Sequence, residues 1–496
     1  MKRRDFCMTT LVGGVAAACP AVRALALADE SAPANGSGIP AVKLSGDATV
    51  IPAVAVKNFA AGLHGQLLTA SDKDYEQARR IWNKMIDRRP ALIARCSGAA
   101  DVARAVAFAR ERELLVAVRG GGHSFPGYSV CNGGLMIDLS AMRSVRVDPL
   151  AKTAQVAGGA WIGDLDWEAQ QYGLATTMGE ISNTGVAGLT LGGGYGWLGR
   201  RHGLACDNLI SVDLVTADAK LHRVNAKDNP DLFWAIRGGG GNFGVVTSFE
   251  YRLHPVGPRV LAGSLVYAPT QTREALENWG QFAARAPREC AVDFSWDGDA
   301  SNTASLSLSV GYIGDPRDGE KVLQPLRTAV KPREDNIRLQ DYVKVQQQFD
   351  GPPLSTMNSY LKGGYVTELT SGLIDTLMND VHPDGVVALE SLQCGGAIAD
   401  VEPTATALAH RKESFQLLVV GHWPDDADNE RNRAKVRAVW DKVKGFTNGF
   451  YVNLGDADQK SVDDNYGPNR PRLASIKKQY DPLNLFRLNA NVRPAA

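Results

Sequence analysis

The sequence predicts an α+β protein of two lobes, a glycine-rich first lobe and a second built on an antiparallel sheet covered by helices. Three observations predict it. At 496 residues the chain exceeds the roughly 250–300 residues at which one hydrophobic core stops growing. Between residues 61 and 257, helical spacing alternates with short β-type runs that glycines close. Beyond Pro255 the texture changes to longer polar–apolar alternation, as at 305–310 and 415–420, which is the pattern of a sheet with one face covered.

In chain order, residues 1–28 read as an export signal: Arg3-Arg4-Asp5-Phe6 heads an apolar, small-residue run that ends in Ala24-Leu25-Ala26. The arginine pair resembles a twin-arginine signal. It implies a bacterial protein exported, already folded, by the twin-arginine machinery to the periplasm or beyond; a general secretory signal is the alternative. The run is not read as a membrane span, and Cys19 lacks the upstream Leu of a lipoprotein anchor. Residues 29–60 lack sustained periodicity and read as a mobile or surface-hugging arm, with folded structure starting near Ala61. The first lobe, 61–257, carries helical spacing at 75–85, 99–112 and 162–172. Its strand-like runs lie at 114–118, 134–139, 145–147, 153–156, 209–216 and 245–253. The second lobe spans 258–449. From 450 to 496 short polar motifs return, and this tail is expected to cross back and complete the first lobe.

Composition narrows the function classes. Lys plus Arg and Asp plus Glu number 54 each, so no basic footprint for nucleic acid is present, and the partner is expected to be a small molecule. Neither HExxH nor a His and acid cluster at ligand spacing occurs, so no metal is expected. Beyond the signal lie Cys96, Cys131, Cys206, Cys290 and Cys394, widely spaced and odd in number. Buried free thiols and partial disulfide pairing both remain open.

Three glycine clusters punctuate the first lobe: Arg119-Gly120-Gly121-Gly122-His123-Ser124, Gly192-Gly193-Gly194-Tyr195-Gly196, and Arg237-Gly238-Gly239-Gly240-Gly241-Asn242-Phe243-Gly244. Glycine admits positive φ and close backbone approach, and successive exposed N–H groups cradle phosphate oxygens, so a diphosphate ligand is expected. The third cluster contains GxGxxG, but Val245-Val246-Thr247-Ser248-Phe249 follows it where a dinucleotide fingerprint needs a helix. A hydrolase elbow at Gly122-His123-Ser124 fails because Gly127 comes one residue late and Pro126 interrupts the helix.

The run Val118-Arg119-Gly120-Gly121-Gly122-His123-Ser124 resembles the covalent-flavin loop of the berberine bridge enzyme-like oxidases, members of the vanillyl-alcohol oxidase superfamily with a PCMH-type FAD-binding domain. The resemblance continues through Thr184-Gly185-Val186-Ala187-Gly188, Asp207-Asn208, Asp231-Leu232-Phe233-Trp234-Ala235, the third glycine cluster, and Tyr480-Asp481-Pro482 with Asn484, Phe486-Arg487 and Asn489. It implies FAD bonded covalently through His123. The flavin contacts it implies are Arg119, Gly120, Gly121, Gly122, Ser124 and Gly127, then Thr184, Gly185, Gly188 and Gly194, then Gly244 and Val246, and in the tail Asn453, Asn489 and Asn491. Many members add a second bond from a cysteine; Ile181 stands at that position here, so a single link is expected.

The resemblance also implies the chemistry. Flavin oxidation of an alcohol needs a base for the hydroxyl proton, and Tyr451, in Phe450-Tyr451-Val452-Asn453, matches the family's tyrosine base. Tyr195 matches a second active-site tyrosine; for both, a core tyrosine is the alternative. In the second lobe Tyr360, Lys362, Glu390 and Gln393 are candidate substrate contacts. His410-Arg411 reads as structural. Thr184 falls where side-chain size controls oxygen access, which favours an oxidase. The implied activity is oxidation of a small alcohol, benzylic alcohol or sugar hemiacetal, with O2 reduced to hydrogen peroxide. Amine oxidation, oxidative ring closure, a dehydrogenase using another acceptor, and a flavin-bearing binding protein with vestigial turnover are the alternatives.

Overall fold

The computed structural model describes residues 38–298, 303–455 and 458–496. The export signal lies outside them, as does the start of the arm. The rest of the arm is folded, contrary to expectation: Ile39–Val42 and Ala48–Ile51 form an antiparallel hairpin, and Ala53–Gly62 is a helix. Phe59 of that helix stacks on Phe108, ring centroids 4.1 Å apart, so two aromatics far apart in sequence order a stretch whose local pattern is too short to register.

The first lobe holds two sheets. One is four-stranded, in the order Gln66–Leu68, Leu92–Arg95, Leu135–Asp138, Val116–Arg119; the last three run parallel, with the helix Ala99–Glu111 crossing over between strands. The other is a five-stranded antiparallel sheet, in the order Leu221–Asn225, Leu209–Val215, Val245–Arg252, Thr153–Ala157, Val145–Asp148. The helix expected over 75–85 stops at Arg79. The turn after it carries Trp82, whose N–H donates to the Gly122 carbonyl at 2.9 Å.

The second lobe is an antiparallel eight-stranded sheet. Its order is Glu334–Asp335, Arg259–Val266, Ala304–Tyr312, Cys290–Gly298, Val387–Gln393, Phe415–Trp423, Asn358–Val366, with Arg338–Asp341 also pairing Arg259–Val266. The helices Thr272–Ala283, Ser371–Asp380 and Asn429–Val443 cover one face. There Trp279 meets Phe294 and Phe415 edge-on at 4.8 and 5.2 Å. The other face carries Leu361, Leu418 and Val420. All five cysteines among the described residues are buried and unpaired. No described helix is long and apolar enough to cross a membrane.

The tail packs into the first lobe. Val452, Val462, Tyr466, Leu473 and Val492 join the core beneath the five-stranded sheet. Lys477, fully buried, donates to Asp481 at 2.7 Å and to the carbonyls of Asn242 and Phe486 at 2.6 and 2.9 Å. Burial lowers its ammonium to about 8 against the opposing pull of Asp481. Asp481→Ala is expected to destabilise the protein by about 3–5 kcal/mol, because it strands a buried cation; the urea unfolding midpoint checks it.

Candidate active site

The glycine loops of the first lobe, the bare face of the eight-stranded sheet and the tail enclose a cavity of about 580 Å³. Two of the loops touch: a Cβ on Gly121 would lie 2.4 Å from the Cα and N of Gly185. Only glycine at both positions permits this approach. Gly188 and Gly241 line the cavity with nothing within 4 Å of where a Cβ would stand, so bare backbone faces the space there.

His123 stacks on Trp82, ring centroids 4.5 Å apart, and Phe125 packs against the same indole at 4.9 Å. Its Nε2 is buried with no hydrogen-bond partner, and burial lowers the imidazole to about 4, so the ring is neutral at physiological pH. The loop residues Gly120, Gly122 and Ser124 line the cavity beside it. Arg119 and Gly127 do not. Arg119 donates from Nη1 to the Ala78 carbonyl, while its buried Nε, 3.9 Å from Asp138, has no hydrogen-bond partner, and Gly127, at φ +80°, makes a turn against Ile86. The structure thus places both beside the loop rather than in the cavity lining expected of them.

Thr184, Gly185, Gly244, Val246, Asn453 and Asn489 also face the cavity. Gly194 acts through its N–H, which donates to the Tyr451 hydroxyl at 3.0 Å; Asn453 Nδ2 donates to the same oxygen at 2.7 Å. Burial raises the Tyr451 phenol above its ordinary value, and these donors oppose that rise by favouring the anion. Tyr195 stands edge-on to Tyr451 at 5.0 Å, and its hydroxyl donates to Tyr365 at 3.3 Å. Asn491 is not a lining residue; its carbonyl accepts from Gln459, which braces the tail.

Of the four second-lobe candidates, the structure brings only Glu390 to the cavity. Tyr360 faces the covering helix, where Arg437 donates to its hydroxyl at 3.2 Å, and Lys362, two residues on, shares that face. Strand alternation gives the cavity Leu361 instead. The Gln393 side chain ties its strand to the next strand and to the helix Thr272–Ala283, accepting from Val292 N–H at 2.8 Å and donating to the Ala283 carbonyl at 3.1 Å. Sequence reasoning missed Trp82, Glu180, Asp293 and His422, all of which line the cavity. His422 bonds Ser359 Oγ at 2.8 Å through Nδ1. For Asp293 and His422, the period-two pattern of their strands was the available signal.

Residues 90–225 match the family described as "FAD binding domain", and residues 450–493 match "Berberine and berberine like". The chain is 32% identical over 448 residues to an FAD-linked oxidoreductase of Dictyostelium discoideum, covering 88% of this chain and 97% of that one. It is 30% identical over 456 residues to (R)-6-hydroxynicotine oxidase of Paenarthrobacter nicotinovorans, covering 87% and 97%. The chain belongs to the berberine bridge enzyme-like family of FAD-linked oxidoreductases. Its fold matches the crystal structure of 6-hydroxy-D-nicotine oxidase from Arthrobacter nicotinovorans with a TM-score of 0.79 at 28% identity, over 87% of this chain and 98% of that one.

The residues present fit the FAD of this family. Besides His123 Nε2, the cavity-lining Ser129 Oγ and Asn489 Oδ1 are buried without a hydrogen-bond partner, and the Gly188 and Gly241 backbones are open to a ligand. Two substitutions separate the roles of the berberine bridge enzyme-like glycines. Gly121→Ala is expected to lower both the unfolding midpoint and the flavin content. Gly188→Ala, in a helix and with room for its Cβ, is expected to keep or raise the midpoint while lowering flavin content. Absorbance at about 450 nm relative to 280 nm, beside thermal unfolding, measures both.

Proposed function

We propose that the protein is an exported oxidase that holds FAD through one covalent bond to His123, oxidises a small organic donor and passes the electrons to O2, giving hydrogen peroxide. The single observation that carries the tether is the buried, unpartnered Nε2 of a neutral imidazole, wedged against Trp82 in the cavity wall. Ile181 lines the cavity where many relatives place a second linking cysteine, which supports one bond rather than two. FAD, when bound, supplies the two-electron acceptor.

The donor loses two electrons and two protons at a carbon bearing a hydroxyl or an amine. Tyr451 is the proposed acceptor of the heteroatom's proton. Its oxygen already receives N–H bonds from Gly194 and Asn453, which stabilise negative charge there, as donors do wherever charge develops. Thr184, which lines the cavity, is of intermediate size at the position where the resemblance puts control of oxygen access, and this supports an oxidase. Export rests on Arg3-Arg4 and the run that follows.

His123→Ala is expected to yield protein whose pigment is released by acid, whereas the parent retains it on the denatured chain; the mass of the flavin-bearing peptide checks this. Tyr451→Phe is expected to stay yellow and lose about 10²- to 10⁴-fold in kcat, read as peroxide release from alcohols, sugars and amines. Undiminished turnover would remove Tyr451 from the mechanism.

A further inference from the structure

The chain that follows the helix Tyr342–Gln346 crosses the cavity wall beside His123 and is anchored at both ends. At the near end Gln346, fully buried, donates through Nε2 to Asp166 and to the Gly179 carbonyl, each at 3.1 Å. At the far end Ser355 N–H donates to the Trp82 carbonyl at 3.0 Å, and Asn83 exchanges two hydrogen bonds with the Ser359 backbone. The strap between, residues 347–354, therefore runs from the base of the 180–185 turn to the residue whose indole packs on His123.

Between these anchors one latch ties the strap to the first lobe. Asp350 accepts from Ser182 N–H at 2.7 Å and from Ser182 Oγ, and the Gly351 carbonyl accepts from Asn183 Nδ2 at 2.7 Å. Among the described residues no other hydrogen bond crosses from 347–354 to the first lobe. Gly351, Pro352 and Pro353 are exposed, and the two prolines have no N–H to give a neighbour. Phe349 looks inward: it lines the cavity and meets Trp197 with ring centroids 6.4 Å apart. The Asp350 carboxylate is close enough to His123 to oppose the lowering of its imidazole by burial.

On its outer side the strap borders a groove of about 710 Å³. Asp350, Gly351 and Pro353 form one side of it, and Trp161, Trp167 and Glu168 the other. The strap thus stands between cavity and groove, and with the latch undone it has room to swing outward. Fixed ends, a lightly held middle and space to move into are what a local opening requires.

Resting on the His123 tether proposed above, we infer that residues 347–354 are a door, latched by Asp350 on Ser182, through which the ring end of FAD reaches and leaves its place at His123. The latch consists of protein groups alone. Weakening it favours opening by the same factor with and without FAD, so uptake and release quicken together and the affinity is unchanged. A group that merely stabilised bound FAD would alter release and leave uptake as it was.

The test uses His123→Ala, which holds FAD without the bond, so that both rates are read from the fluorescence of free FAD. Release is followed on dilution, and uptake on mixing the flavin-stripped full chain with FAD. Adding Asp350→Ala is expected to speed both at least about tenfold, the strength of a charge-assisted hydrogen bond, with their ratio changed by less than about threefold. Ser182→Ala, which leaves the N–H in place, is expected to speed both by a smaller common factor. Unchanged rates in Asp350→Ala, or faster release with unaltered uptake, overturn the door. Failure of the tether shows separately, as parent pigment released by acid, and the two rates are then read in Asp350→Ala alone. Parent protein that takes up no FAD overturns the flavin reading and this one with it.

Discussion

Gly121 and Gly185 come so close that a Cβ on either would overlap the other's backbone, and this contact fixes where the His123 loop lies against the 180–185 turn. Two loops with side chains at those points would stand apart by the width of a methyl group or more, and the cavity wall would open between them. With glycine at both, His123 is held on one side against Trp82, and Glu180, Ile181 and Thr184 on the other. The turn leads directly into the helix Val186–Leu191, whose Leu189 carbonyl accepts from Asn453 Nδ2 at 2.9 Å. A backbone contact thus sets the spacing between a side chain suited to hold a flavin and the amide that steadies Tyr451.

The tail depends on a second set of contacts, polar and buried. Asn242 donates to the carbonyls of Gly239 and Ala490 and accepts from Val492 N–H, while Lys477 binds the Asn242 and Phe486 carbonyls. Asp481 accepts from Leu485 and Phe486 N–H as well as from Lys477. Apolar side chains of similar size would fill the same space, but they would leave these backbone groups without partners in a dry interior. The network specifies one seating for residues 477–492, and that seating brings Asn489 to the cavity.

What the sequence revealed and what it hid follow from the range of the interactions. Glycine clusters and the loop histidine were legible because their role is local: a backbone that must bend or be bare leaves glycine in the sequence. The strands of the second lobe were legible as alternation, but the facing of each was not. Alternation gives two equivalent phases, and only the covering helices decide which one meets the cavity. Tyr360 and Lys362 were read in the wrong phase for that reason; Glu390, on a different strand, fell in the right one. Asp293 and Glu180 were invisible because their proximity, about a hundred residues apart in sequence, exists only in the fold. The hairpin and helix of residues 39–62 were missed because their order comes from Phe59 meeting Phe108, not from local periodicity.

The absence of Lys and Arg from the described cavity lining ties the two halves of the site together. A chain that held an anionic cofactor with side-chain cations would carry mobile positive charge into a space of about 580 Å³, within reach of any carboxylate there. Those cations would pair with Glu180, Asp293 or Glu390. Backbone N–H groups at glycine loops attract phosphate oxygens just as well locally, yet they are dipoles fixed in place, and their field falls off too steeply to neutralise a carboxylate on the opposing sheet. Bare glycine backbone at these loops would receive a diphosphate without bringing a side-chain cation into the cavity, and Glu180, Asp293 and Glu390 line it with no Lys or Arg among the described lining residues.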